Sequence, residues 1–444
     1  MIDPRFLLVA TLAITPALAA AQTGPSSPPP TRSSEVVLFL AGDQRPQLRL
    51  AFPSCPAEPS AAAVQAAAAE LETTLREDLQ ESGVFRIHGP ADLQPLTLVN
   101  ELEKDADTYR SLGDEVLLLG TVKAEAGKIV LEGRVFDLAS RQIILGKRYS
   151  GEPAWARRIA HTFADEIVRQ FTGQPGIALT QIAFSSDRSG SKEIYLMDAD
   201  GHNQRPISAH RSISLSPSWS PKSDALGYVS FFGGPPGLYL ADLASGRKRP
   251  IVTDGSFNAS PAISPDGSRV AFARSVDGNI EVFLADVAGG NLRRLTNSPG
   301  IDTNPSWSAD GGSLAFTSSR GGSPQIYVTD ADGANTRRVT FKGDYNDGAS
   351  FHPRSPQIVY STRQGNAFNL STVDLVTLES RLLTSGPGSK ETPAYSPDGR
   401  KIAFAWGQGK EKQIWILDLA SGGLRQITSE GRNNGDPAWS GYPK

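Results

Sequence analysis

Short alternating apolar and polar runs fill the second part of the chain, and they recur at a fixed interval. In "SPAISPDGSRVAFARS" (260–275), a proline precedes an Ile two residues on, then a Ser-Pro-Asp-Gly turn, then an alternating run. Proline stands at 217, 261, 305, 393 and 437, with Ala349 in the remaining place, so the interval is 44 residues throughout. Six copies in one register indicate a repeat architecture.

Each copy contains four short strand-like runs, joined by Asp-Gly and Gly-rich turns that adopt positive φ easily. A period of about 40–50 residues with four strands per copy is typical of a β-propeller. The first copy (173–208) lacks the proline strand, and "DPAWSGYPK" (436–444) supplies an unmatched one. We therefore predict a six-bladed β-propeller at 173–444, closed by the C-terminal strand, which leaves no exposed sheet edge.

Residues 35–172 switch between strand-like and helical spacing. The run "EVVLFL" (35–40) predicts a strand, the Ala-rich segment 61–82 a helix, and residues 115–150 a three-stranded meander. Segment 152–173 places apolar or aromatic residues at every fourth position from Trp155 to Phe171, which predicts an amphipathic helix. These elements predict an N-terminal α/β domain with helices on one side of a mixed sheet.

The first 34 residues have the composition of a targeting segment and a tail. Arg5 is followed by an apolar stretch from Phe6 to Leu18, and cleavage after Ala19 or after Ala21 fits equally well. We predict a secretory signal peptide at 1–21 and a flexible Pro/Ser-rich tail at 22–34. No other window approaches about 20 apolar residues, so we expect an exported, soluble protein.

Charge and motifs exclude several function classes. The formal net charge is -3 at pH 7, so we expect no nucleic-acid partner. Cys55 is the only cysteine, which rules out an internal disulfide. The sequence contains no nucleophile elbow, zinc-protease motif, phosphate-binding loop or Cys/His cluster. We predict no catalytic residue, no metal site and no cofactor.

The six copies serve as controls for one another. A residue type that all copies share serves every blade, so the aromatic or β-branched position that includes Trp307 is predicted to be core between blades. Function is expected where the copies differ, in the pairs immediately before each innermost strand. These pairs and their neighbours are predicted to form a polar mouth of the central channel with Ser216, Ser260, Asp302, Thr303, Asn304, Asp347, Glu391 and Asp436.

The order of signal peptide, α/β unit beginning "EVVLFL", six "SPDG…LAF…IYV.D" copies and terminal "DPAWSGY" resembles the TolB family of the Tol-Pal envelope system. The resemblance implies a periplasmic, non-enzymatic adaptor that supports outer-membrane integrity and constriction at division. It implies that the propeller mouth binds the lipoprotein Pal, through loops that correspond to 257–260 (with Phe257 and Asn258) and 302–304. It also implies that an N-terminal segment, here Glu35, Val36, Val37 and Leu38, binds TolA.

The same resemblance sets further expectations. The protein is expected to be a monomer and to associate with the membrane through its partners only. Family members often carry a His at the position of Phe257 and an acid at that of Asn304, so this chain departs from the pattern at both. The 13-residue tail before Glu35 also departs from it.

An exported propeller enzyme, a lyase or a hydrolase with its active site at the channel mouth, is the alternative. A lyase would need His and Arg side chains converging with carboxylates at one mouth, and the repeated rim positions contain no His. A propeller hydrolase of the prolyl-oligopeptidase type would need a further catalytic domain with a nucleophile elbow, which we do not expect here.

Overall fold

The structure is a computed structural model that describes residues 46–55, 57, 62–93, 102–409 and 411–443. The predicted signal peptide, tail, first strand (35–40) and TolA-binding residues 35–38 lie outside these residues. None of the helices within the described ranges is long and apolar enough to cross a membrane.

The first described part of the chain is a five-stranded mixed sheet with the order β2-β1-β3-β4-β5. The short strands β1 and β2 are parallel, β1 is also parallel to β3, and β3, β4 and β5 form the antiparallel meander that the sequence predicts. The strands are β1 (Leu48–Ala51), β2 (Phe85–His88), β3 (Val116–Glu125), β4 (Lys128–Asp137) and β5 (Gln142–Gly151). The helices are α1 (Ala62–Glu81), α2 (Pro90–Leu93), α3 (Leu102–Ser111) and α4 (Ala156–Thr172), the last preceded by a 3-10 turn (Pro153–Trp155).

Helices cover both faces of this sheet. Helices α1 and α4 bury their apolar stripes, including Leu75 and Phe163, against one face. Ala106 and Tyr109 of α3 pack with Leu117 and Phe136 on the other face. The prediction of helices on one side only is therefore wrong. Because α3 has few apolar residues, its sequence carries too weak a period to reveal the second layer.

Six four-stranded antiparallel sheets follow, and each is one blade of a propeller. The innermost strands contact those of the neighbouring blades around the axis. Blade 1 contains β6 (Gln181–Ser186), β7 (Glu193–Asp198), β8 (Arg205–Pro206) and β29 (Gly435–Trp439); blade 2 contains β9 (Ser214–Trp219), β10 (Ala225–Ser230), β11 (Gly237–Asp242) and β12 (Lys248–Val252). Blade 3 contains β13 (Asn258–Ile263), β14 (Arg269–Val276), β15 (Asn279–Asp286) and β16 (Arg293–Arg294); blade 4 contains β17 (Asp302–Trp307), β18 (Ser313–Ser318), β19 (Gln325–Asp330) and β20 (Arg337–Arg338). Blade 5 contains β21 (Asn346–Phe351), β22 (Gln357–Gln364), β23 (Ala367–Asp374) and β24 (Ser380–Leu382); blade 6 contains β25 (Ser389–Tyr395), β26 (Lys401–Gln408), β27 (Glu411–Asp418) and β28 (Leu424–Gln426).

The C-terminal strand closes the ring, as predicted. Strand β29 pairs with β6, with Trp439 opposite Ile182. The indole N–H of Trp219 in blade 2 donates to the Ala438 carbonyl at 2.9 Å. The indole of Trp307 makes the same bond to the Ala262 carbonyl, at 3.0 Å. Since Ala262 and Ala438 occupy the same repeat position, the join between the chain's two propeller ends is built like an ordinary join between blades.

The contacts between the α/β domain and the propeller lie on one face of the ring. The Arg400 guanidinium donates to the Ser82 carbonyl at 3.1 Å, and the Lys401 ammonium lies 3.1 Å from Glu81. Arg400 ends the turn between the first and second strands of blade 6, and Lys401 begins the second strand. The loops between blades leave from the opposite ends of the same strands, because an innermost strand runs from one face to the other. The predicted docking residues therefore lie towards the face opposite these contacts.

Candidate functional site

One residue in the middle of each innermost strand has a left-handed backbone. The strand pairing shifts register there, which is a β-bulge. The six residues and their φ angles are Ser216 (52°), Ser260 (49°), Asn304 (49°), Gly348 (65°), Thr392 (51°) and Asp436 (50°). Sequence analysis placed these positions before the innermost strands. The structure places them within the strands, because the bulge lets pairing continue on both sides.

Hydrogen bonds join several of these positions from blade to blade. Ser260 Oγ donates to Asn304 Oδ1 at 2.6 Å, and Asn304 Nδ2 donates to Asp347 Oδ1 at 2.7 Å. On the other side of the ring, Asp436 Oδ2 accepts from the Ser216 backbone N–H at 3.4 Å. We call the residues at the bulges and those just before them the polar ring. It brings together five of the predicted residues in two bonded groups.

Three carboxylates of the polar ring already have partners within the protein. Asp347 Oδ1 also accepts from Thr317 Oγ1 at 2.7 Å. Glu391 forms an ion pair with Lys412. Asp436 also accepts from Ser185 Oγ at 3.1 Å. These bonds fix the carboxylates in place, which suits a surface that recognises a partner without rearrangement.

Two predicted docking residues are buried. Asn258 and Asp302 both have 0% of their surface exposed, so neither offers an atom to a partner. Each lies two residues before a bulge, at a position that we call the clamp position. The clamp residues are Ser214, Asn258, Asp302, Asn346, Lys390 and Asn434, and all six are buried.

The clamp residues tie down the loops that lead into the innermost strands. Asn258 Nδ2 donates to the Asp254 carbonyl at 2.9 Å, and Asn346 Nδ2 donates to the Lys342 carbonyl at 2.8 Å. The Lys390 ammonium lies 2.9–3.1 Å from the four carbonyl oxygens of residues 385–388. Asn258 and Asp302, predicted as partner contacts, are instead buried residues at the base of these loops.

The position just before each clamp is apolar over four consecutive blades. Ile213 and Ile301 are 47% and 51% exposed, while Phe257 and Tyr345 are partly buried. Nearby loops add Phe232 and Phe341, with exposed fractions of 61% and 58%. We call these six residues the apolar arc. Of these six residues, the sequence analysis predicts a docking role for Phe257 alone. The shared repeat position of residues 213, 257, 301 and 345 is the signal that could have identified three more.

The other end of the channel is a cavity of about 490 Å³. It is lined by the second halves of the innermost strands and the turns that follow, including Trp307 and Tyr395. This mouth lies on the face that contacts the α/β domain. None of the predicted docking residues within the described ranges lines it.

A buried charge cluster lies where the two domains meet. His161 Nδ1 of α4 is 2.7 Å from Asp78 Oδ2, and His161 Nε2 is 3.6 Å from Asp200 Oδ2 of the propeller. Arg157 forms an ion pair with Asp200. Burial opposes the charge on His161, yet the Asp78 and Asp200 carboxylates outweigh it and raise the pKa of His161.

This cluster also contains the one candidate metal-ligand group found among the described residues. Donor atoms of His161, Asp198 and Asp200 lie within 4.8 Å of one another. The Arg157 guanidinium already neutralises Asp200, and Asp198 accepts from Asn203 Nδ2 at 2.6 Å as part of its own turn. The geometry therefore fits an ion-pair network that fastens α4 to the propeller.

Two family descriptions match this chain. Residues 168–391 match the TolB beta propeller domain, and residues 41–144 match the TolB amino-terminal domain. The crystal structure of TolB from Acinetobacter baumannii superimposes with a TM-score of 0.77 and 26% identity, over 89% of this chain and 97% of that chain.

Relatives of known name align over shorter stretches. A protein TolB homolog from Chlorobium chlorochromatii is 34% identical over 172 residues, which is 38% of this chain and 39% of that protein. A Tol-Pal system protein TolB from Desulfosudis oleivorans is 41% identical over 132 residues, or 30% of each chain. In these matches the chain thus spans less than two fifths of either relative.

Proposed function

We propose that this chain, which belongs to the TolB family, is a periplasmic protein-binding scaffold of the Tol-Pal system that docks the lipoprotein Pal at the polar ring. In this proposal the protein is not an enzyme, and it reaches the membrane only through its partners. It contributes to outer-membrane integrity and to constriction at division by linking envelope layers.

The apolar arc is the observation that carries the docking proposal. Exposed apolar side chains next to a polar ring are the arrangement that protein interfaces use, with an apolar centre that excludes water beside polar groups that fix orientation. Ile213, Ile301, Phe232 and Phe341 are exposed on the loop side of the ring. Asp347 and Asp436, whose hydrogen-bond donors are neutral groups, add negative charge to the same face, whereas Glu391 is paired with Lys412. We therefore expect Pal to present an apolar patch bordered by basic or hydrogen-bond-donating groups.

The second partner contact concerns residues outside the described ranges. We propose that Glu35, Val36, Val37 and Leu38 form part of a segment that binds TolA. A strand-like apolar run can bind by adding to the edge of a partner's sheet, which would suit these residues. In this proposal the TolA contact does not include the polar ring, so we expect a protein that lacks residues 22–38 still to bind Pal.

The experiment that tests the docking proposal measures Pal binding by isothermal titration calorimetry. Thr303→Arg and Phe257→Arg each place a large cation on the proposed contact, at positions whose backbone is not left-handed. We expect each to weaken binding at least about tenfold, or 1.4 kcal/mol, with little change in melting temperature. Ala288→Arg is the matched control, because Ala288 is exposed in a turn at the opposite face.

Two outcomes would contradict the proposal. One is that wild-type protein shows no binding of purified Pal. The other is that Ala288→Arg weakens binding as much as Thr303→Arg, which would place the contact elsewhere.

A further inference from the structure

Blades 4 and 6 each bury a small polar network beneath the loop that leads to the next blade, and three repeat positions build it. In blade 6, Gln413 Oε1 accepts from Thr428 Oγ1 and from the clamp residue Asn434, both at 2.7 Å. In blade 4, Gln325 Oε1 accepts from Thr340 Oγ1 at 2.8 Å and from the clamp residue Asn346 at 2.7 Å. In both cases an amide N–H supplies the hydrogen between the two side chains.

In blade 3, the corresponding network has acids in place of both amides. Glu281 stands 44 residues before Gln325, and Asp302 stands 44 residues before Asn346. Both have 0% of their surface exposed. Ser298 contacts both groups, since its backbone N–H donates to Glu281 at 2.9 Å and its hydroxyl lies 3.5 Å from each Asp302 oxygen. The two carboxyl groups thus occupy the positions of Gln325 and Asn346, whose side chains form a hydrogen bond of 2.7 Å. Two carboxylates cannot form this bond, because neither has a hydrogen to donate.

The donors around the pair indicate which acid keeps the hydrogen. Glu281 Oε1 accepts from Arg294 at 2.7 Å, and its Oε2 accepts from Thr296 Oγ1 at 2.7 Å. The Ser298 backbone N–H adds a further bond to Oε1 at 2.9 Å. Burial alone would raise the pKa of Glu281, but these donors outweigh it and lower that pKa. Glu281 is therefore the carboxylate and acceptor.

Asp302 has fewer donors and is the proton carrier. Arg320 lies 2.7 Å from its Oδ2, and Ser298 Oγ is 3.5 Å from each of its oxygens. Burial raises the pKa of Asp302, and the nearby charge of Glu281 acts in the same direction. Arg274, which lies opposite Glu281 in the adjoining strand, is paired with Asp254. Arg294 and Arg320 are thus the two cations that face the pair.

We propose that Glu281 and Asp302 share one proton, and that loss of this proton as the pH rises loosens loop 297–301 and weakens docking at this face. The loop depends on the pair at both ends, through the Ser298 N–H on Glu281 and through Asp302 at the start of β17. It also carries Ile301 of the apolar arc and leads directly into Thr303 and Asn304. The docking part of this inference rests on the proposed function, whereas the loop part does not.

The raised pKa of Asp302 determines whether stability rises or falls with pH. A carboxyl whose pKa is raised in the folded protein binds a proton that the unfolded chain releases. Its contribution to stability is present at low pH and is lost as the pH rises through the raised pKa of Asp302. The loop should therefore be better ordered in mildly acidic than in alkaline solution.

The test compares wild-type protein with the double variant Glu281→Gln, Asp302→Asn. This variant recreates the amide pair that two other networks of the same chain already use. One of those networks has Arg338 at the position of Arg294, so the amide pair tolerates that arginine. The readout is the hydrogen-exchange protection of the Ser298 and Ile301 amides in full-length protein. Loop 341–345, which leads to Asn346, is the internal control.

Between about pH 5.5 and pH 8.5, we expect wild-type protection at these amides to fall roughly tenfold more than in the variant. The control loop should show no such difference. Equal pH dependence of the two proteins would overturn the inference. If the double variant does not fold, the reverse change Gln325→Glu, Asn346→Asp decides, because it should create the pH dependence in loop 341–345.

Pal titrations at the two pH values separate this inference from the proposed function. The docking part of the inference is supported if wild-type protein binds Pal more weakly at the higher pH and the double variant shows a smaller change. A Pal affinity of wild type that does not depend on pH overturns it. Absence of Pal binding at both pH values would refute the proposed function and the docking part together. The protection factors would still decide whether the proton controls the loop.

Discussion

Replacing Trp439 by Ala tests whether the C-terminal strand is a structural equal of the other innermost strands. Trp439 is 8% exposed, its ring packs in the core between blades 6 and 1, and its indole N–H donates to Thr180 Oγ1 at 2.8 Å. A tryptophan buries on the order of 200 Å², which at about 25 cal/mol per Å² amounts to about 5 kcal/mol. Measured aromatic-to-alanine costs of about 3–5 kcal/mol agree with this.

The control is Trp307→Ala, at the same repeat position in an uninterrupted part of the ring. Trp307 is also 8% exposed and also donates its indole N–H. If the ring unfolds as one unit, each variant should lower the melting temperature by about 6–10 °C, at roughly 2 °C per kcal/mol. Circular dichroism at 218 nm or thereabouts would follow the β structure. If Trp439→Ala lowers the melting temperature by less than about a third of the decrease caused by Trp307→Ala, closure of the ring by β29 is refuted. Such a result would show that β29 detaches without unfolding the rest of the ring.

Two further predictions concern strain and protonation. Thr392 is β-branched at φ 51°, and its buried Oγ1 has no hydrogen-bond partner among the described residues. Since Gly348 occupies the same repeat position, Thr392→Gly should raise the melting temperature by about 2 °C, for about 1 kcal/mol of relieved strain. A lower melting temperature would contradict this. Burial raises the pKa of Asp165 to about 6, against hydrogen bonds from the Ala178 and Leu179 amides. Its raised pKa adds stability at low pH that is lost as the pH rises through about 6, so wild type should gain about 2–3 kcal/mol over Asp165→Asn between pH 7 and pH 4. Urea unfolding at the two pH values would measure this difference in unfolding free energy. A wild type that loses stability relative to Asp165→Asn as the pH falls would contradict the prediction.

The propeller could be predicted from sequence because its information is repeated. One copy of the Pro-to-Trp or Pro-to-Ile pattern would be a weak signal, but six copies in one register fix blade number, strand order and the closing strand. Helix α4 was also predictable, from its four-residue ladder, and the structure ends it at Gly173 with a left-handed backbone. Elements without repetition or strong amphipathicity were not. Strand β2 has four residues, and α3 shows few apolar positions, so tertiary packing decides both.

The polar ring was predicted in composition but not in geometry. Sequence shows that Ser260, Asn304 and Asp436 share a repeat position, yet it does not show a bulge there. Ser and Asp are ordinary residues in extended strands as well as in turns. The left-handed conformation arises because pairing must continue on both sides of one extra residue. Hydrogen bonds such as that between Ser260 and Asn304 follow from this shared backbone shape.

The error at Asn258 and Asp302 has a general physical cause. Variation among copies does not by itself indicate exposure, because a buried position also varies when the loop above it varies. The clamp needs only a group that satisfies the buried atoms of its own loop. An amide does so at Asn346, and an ammonium satisfies four carbonyl oxygens at Lys390. Because each clamp is matched to one loop, exchanging Lys390 for Asn without its loop should leave several carbonyls without partners. Side-chain diversity within a repeat therefore marks loop shape as well as partner contact, and burial is what separates the two.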